Sequence, residues 1–169
     1  MATLQRMYPA ETGILTPGQV IARYQEQAPV DIVAIAKEMG INVWKLLLAP
    51  DISGKIFRDH LNGGFSSFSI AVNSNDSPLR QRFTVAHEIA HFILHRDRLE
   101  RGDLVDDAMY RSGLSSKEET AANRLAADIL MPLPLIRKLV AAGIKDPVSL
   151  ANKLQVSLPA MNIRLGLAP

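Results

Sequence analysis

The sequence predicts an α+β fold on two observations. Three short β-rich runs (Ile41 to Leu48, Ile52 to Arg58 and Phe65 to Val72) lead into one long helical stretch, Leu79 to His95, with no Gly or Pro inside it. Helix start signals then recur as far as the C-terminus. A three-stranded sheet packed on a central helix, with surrounding helices and a C-terminal helical pair, follows from that order. The chain has 169 residues, 47% hydrophobic and 21% charged, enough for one domain with a real core.

Taken in order, residues 1–15 read as an irregular arm and residues 16–169 as a single domain. Thr16-Pro17 opens a short helix with Val20, Ile21 and Tyr24 on one side. Asp31 caps a second helix, apolar at Ile32, Val33, Ile35, Ala36 and Met39, that stops at Gly40. The three β-rich runs follow, the last two around the Asn62-Gly63-Gly64 turn. A sheet edge can pair with an extended peptide, so Ser69, Ile70, Ala71 and Val72 are the candidate substrate-binding strand.

Ser77-Pro78 starts the long helix, where Phe83, Ala86, Ala90, Ile93 and Leu94 recur at steps of three and four. Arg96 to Ser115 alternates acids and bases and reads as a solvated crossing loop, with Tyr110 in it a candidate donor to a developing oxyanion. Ser115 to Asn123 opens the next helix with a capping-box signature. Over residues 146–166, Asp146-Pro147 begins a helix, Gln155-Val156-Ser157 turns, and Pro159 to Leu165 forms another. That spacing is helix-turn-helix-like, but only Ser157, Asn162 and Arg164 are available for DNA contacts, so direct nucleic-acid binding is not expected.

The long helix carries HEIAH at His87 to His91. Composition alone would produce H-E-x-x-H in a chain this long less than about one time in a hundred. Residues four apart share a helix face, so both imidazoles can grip one tetrahedral ion, with Glu88 between them as general base. His95 lies two turns from His87 and cannot join the same ion on a straight helix, and His60 falls in an exposed turn. A third ligand must come from downstream. Asp97 occupies the position that some such motifs use after a helix-breaking Gly, but Leu94 stands where that Gly would be. Glu118 and Glu119 open the next helix, and Glu119 is preferred because Asn123, one turn on, is placed to orient a ligand histidine.

The runs RQRFTVAHEIAH (from Arg80), ETAANRLAADILMP (from Glu119) and VSLPAMNIRL (from Val156) together resemble the ImmA/IrrE family of metallopeptidases, over roughly residues 29 to 166. The resemblance implies a compact zincin-like domain, a Zn²⁺ or Mn²⁺ ion on His87, His91 and Glu119, and Glu88 as catalytic base. It further implies a protein substrate, a helix-turn-helix repressor or antitoxin-like partner cut in a stress, mobile-element or prophage response. Ala90 stands where the family commonly has Gly and Leu125 where it commonly has Phe, both at positions that read as packing. The alternatives are a non-catalytic regulator-binding module and a DNA-binding regulator working through the C-terminal helices.

Composition sets the outer bounds. Cysteine is absent, which removes disulfides and thiolate metal sites. No apolar run approaches membrane-span length and the N-terminus lacks a signal-like h-region, so a cytoplasmic location is expected. Net charge is +2 with dispersed basic residues, a weak footprint for nucleic acid. Oligomeric state has no signature in the sequence.

Overall fold

The computed structural model describes residues 15–101 and 115–168. Tyr110 and nearly all of the N-terminal arm lie outside that range. The chain folds as α+β, with a three-stranded mixed sheet and helices around it.

Two short helices come first, α1 (Pro17–Tyr24) and α2 (Ile32–Glu38). Each begins where local chemistry says it should. Thr16 and Gln19 form a reciprocal capping box, and the Asp31 carboxylate accepts from the Ala34 N–H at 3.0 Å. Gly40, at φ 76°, ends α2 and turns the chain into the sheet.

Strands β1 (Ile41–Leu46), β2 (Gly54–Arg58) and β3 (Phe68–Asn73) order as β1-β3-β2, with β1 parallel and β2 antiparallel to β3. Ser69, Ile70, Ala71 and Val72 therefore sit in the middle of the sheet, paired on both sides and buried. That corrects their reading as a substrate-binding edge, because a central strand has no free backbone row to offer a peptide. Ser69 has a structural task instead. It accepts from Trp44 Nε1 at 3.0 Å and donates to Asp59 at 2.8 Å, fixing the turn between β2 and β3. The last run is also shorter than expected at its start, since Gly64–Ser66 makes a single 3₁₀ turn and Phe65 lies over Gly40.

Helix α3 (Pro78–Leu94) crosses the sheet. Ser77 caps it, accepting from the Arg80 N–H at 3.3 Å, and Pro78 occupies the first turn, where no N–H is needed. Val85, Ile89 and Phe92 enter the core, where the Phe92 ring meets Phe68 edge-on at 5.5 Å. Such a pair is worth about 0.5–1.5 kcal/mol beyond its buried area. Two amides fix the approach of sheet to helix. Asn73 Nδ2 donates to the Ala49 and Ile52 carbonyls at 3.1 and 2.8 Å, and Gln81 Nε2 donates to those of Asn73 and Asp76 at 3.0 and 2.9 Å.

Gly54, at the start of β2, marks the closest approach to α3. A Cβ there would stand 2.4 Å from Thr84 Cγ2 and 2.6 Å from the Ala71 carbonyl. Gly54→Ala is expected to lower stability by about 1–3 kcal/mol through overpacking, read as a lower thermal midpoint. An unchanged midpoint would mean that the strand is not held this tightly against the helix.

Beyond α3 the chain departs from expectation at two points. Arg96–Arg101 is helical (α4) rather than loop: Leu99 is buried, Arg96 pairs with Glu100 at 2.7 Å, and the Arg96 guanidinium lies over the Phe92 ring. A charged segment can be helical when one apolar residue anchors it and its charges pair at four-residue spacing. Helix α5 (Ser116–Leu130) begins with the expected capping box of Ser115 and Glu118. Helix α6 (Leu133–Ala141) is not among the expected elements; Pro132 and Pro134 occupy its cap and first turn, where proline is tolerated.

The C-terminal pair, α7 (Pro147–Leu154) and α8 (Leu158–Arg164), packs into the same buried cluster through Leu150, Leu154 and Met161. Of the three residues available for DNA contacts, Ser157 caps α8 and Arg164 is tied to Asp128 at 2.6 Å and to the Met131 carbonyl at 2.8 Å. Arg82 fastens this end to the rest, donating to the Gln155 and Val30 carbonyls at 3.2 and 2.9 Å.

Candidate metal centre

One stripe of α3 flanks the core cluster, with Phe83 packed against it. Arg80, Phe83, Thr84, His87, Glu88 and His91 follow the steps of three and four that place side chains on a single helical face. Helix α5 packs beside α3 and brings Glu119 and, one turn on, Asn123 to the same place. Between the two helices and the start of β2 lies a cleft of about 260 Å³, lined by Ser53, by Arg80 to Glu88 of the stripe, and by Glu119 and Asn123.

At its floor the Nε2 atoms of His87 and His91 are 2.9 Å apart, and the two oxygens of Glu119 stand 3.5 Å from one and the other. Donors bound to one tetrahedral ion at about 2.0–2.2 Å lie roughly 3.3–3.6 Å from each other, so these three sit near the spacing of a ligand set. Two imidazoles and a carboxylate suit a divalent ion of the zinc type and leave a position open. His91 and Glu88 are buried, and Glu88 opens onto the same cleft.

The geometry separates the three carboxylates that compete for the third position. Glu118 is engaged elsewhere: it accepts from the Ser115 N–H at 2.7 Å and from Arg98 at 2.9 Å. The hydrogen bonds with Ser115, its backbone first and then its side chain, hold the Glu118 carboxyl below the usual carboxylate range, and the Arg98 charge adds to them. Asp97 lies on α4, outside the cluster. Among the described residues, His87, His91 and Glu119 are the group able to share an ion.

The remaining candidates fall where the backbone takes them. Asn123 lines the cleft as an exposed wall residue, one turn on from Glu119. His95 caps the end of α3 with its ring 5.4 Å from that of His91, and His60 is exposed in its turn. Ser53, Arg80, Phe83 and Thr84 were not anticipated. The three on α3 were findable, since they precede His87 by three, four and seven residues on the same face. Ser53 reaches the cleft only through the sheet's long-range pairing and left no local signal.

Comparison with known proteins agrees with this picture. The family model of the M78 peptidases, described as the IrrE N-terminal-like domain, matches residues 36–166. The radiation response metalloprotease IrrE of Deinococcus radiodurans is 45% identical over 71 residues, which cover 42% of this chain and 21% of that protein. Its counterpart in Deinococcus deserti is 44% identical over 72 residues, 42% of this chain and 25% of that protein. The matched stretch thus spans a quarter or less of those relatives. Among solved structures, a transcriptional regulator of Mycobacterium tuberculosis aligns over 89% of this chain and 46% of its own with a TM-score of 0.57 and 16% identity, a likeness of fold.

Proposed function

The chain belongs to the IrrE N-terminal-like family of M78 peptidases, and from that premise we propose that it is a metal-dependent endopeptidase of zincin-like build. The observation that carries this reading is the convergence of His87, His91 and Glu119 within hydrogen-bonding to ion-pairing distance, with Glu88 on the same cleft. The Deinococcus relatives are metalloproteases by name, and the same chemistry is proposed here.

His87, His91 and Glu119 would hold the ion. A bound divalent ion supplies Lewis acidity that polarises a peptide carbonyl and acidifies a nearby water. Glu88 Oε takes the proton from the attacking water and passes it to the leaving amine. Phe83 and Thr84 form part of the cleft wall on the helix side. Because β2 is hydrogen-bonded on one side only among the described residues and begins at the cleft, its outer edge replaces β3 as the proposed seat of an extended substrate segment. A helix-turn-helix repressor or antitoxin-like partner is the proposed substrate class.

The third ligand gives the simplest test. Glu119→Gln is expected to weaken Zn²⁺ retention at least about tenfold, whereas Glu118→Gln keeps its metal and loses only helix-cap stability. Competition with a chromogenic chelator measures both. Equal retention in the two variants would remove Glu119 from the site.

A further inference from the structure

The cleft has one cation among its described lining residues, and it is held in place. Arg80 Nε and Nη2 donate to Ser53 Oγ at 2.9 and 2.7 Å, and Nε lies 3.4 Å from Asp76. The guanidinium is thus pinned along one edge to the loop that starts β2, while 61% of the side chain remains exposed. Arg80 lines the cleft, and an arginine whose guanidinium is already held by neighbouring groups binds a carboxylate with little further ordering.

Position sets the range. Arg80 lies two helical turns before His87, about 10 Å of rise, and an extended peptide advances about 3.3 Å per residue. We propose that Arg80 is a specificity-determining residue that recognises an acidic side chain about three residues from the scissile bond, an inference that rests on the peptidase reading above. Asp76 sets its limits. It neutralises part of the guanidinium charge, so the preference is for a carboxylate presented end-on and not for any acidic surface.

The test uses a library of fluorescent decapeptides with Glu, Gln or Lys fixed in turn at each position. Cleavage by zinc-loaded wild type is read by mass spectrometry, and binding to Glu88→Gln is read separately by fluorescence anisotropy. A preference of about tenfold for Glu over Gln is expected at one position near the third from the cut. It should vanish in Arg80→Gln, persist in part in Arg80→Lys, turn to Lys in Arg80→Glu, and shrink in high salt. If no peptide is cut but Glu88→Gln still shows an acid preference that depends on Arg80, the recognition stands and the peptidase reading falls. Equal binding of the Glu and Gln peptides, no binding of either, or a preference that survives Arg80→Gln would overturn the proposal.

Discussion

Glu88→Gln is expected to keep its metal and its fold while cleavage falls by about 10² to 10⁴, the usual contribution of a positioned general base. Glu88 lines the cleft beside the ligand cluster without belonging to it, so the amide removes a proton acceptor and leaves His87, His91 and Glu119 in place. The near-isosteric change leaves no cavity. A substrate should then accumulate as a stable complex where the wild type gives fragments, and pull-down against fragment mass spectrometry distinguishes the two. Cleavage at wild-type rate by Glu88→Gln would mean that another group moves the proton.

A second large effect is expected at the histidines. His91→Ala, and His87→Ala likewise, should reduce metal content from about one ion per chain to near zero, because two remaining donors do not make a zinc site. Buried His91 sits on a helix whose core face is carried by Val85, Ile89 and Phe92, so the fold should survive the loss. Elemental analysis beside far-UV circular dichroism reads both. Unchanged metal content would assign HEIAH to helix packing alone.

How much of this was legible in the chain depended on range. Caps are local, and Thr16, Asp31, Ser77, Ser115, Asp146 and Ser157 each mark a helix start that the fold uses. The HEIAH face is equally local, since helical spacing alone brings His87 and His91 together. Strand order is not local: three strands in sequence allow several arrangements, and β3, which reads as an edge, is central. A clue was present. Phe68–Asn73 carries no charged residue, whereas β1 has Lys45 and β2 has Lys55 and Arg58, the pattern of flanking strands that guard their edges with charge. The preference for Glu119 over Glu118 is legible in the sequence, but what engages Glu118 is not, because its partner Arg98 comes from a helix that reads as loop.

Metal-dependent hydrolysis through this cleft is tested most directly by mass spectrometry of the same decapeptide library after incubation with four samples. These are the zinc- or manganese-loaded wild type, the chelator-stripped wild type, the stripped protein with metal restored, and Glu88→Gln. Internal cleavage is expected in the first and third samples, with a drop of about 10² or more in the other two. Fragments of equal abundance in all four, or an intact library in the presence of fully metal-loaded wild type, would contradict a peptidase built on His87, Glu88, His91 and Glu119.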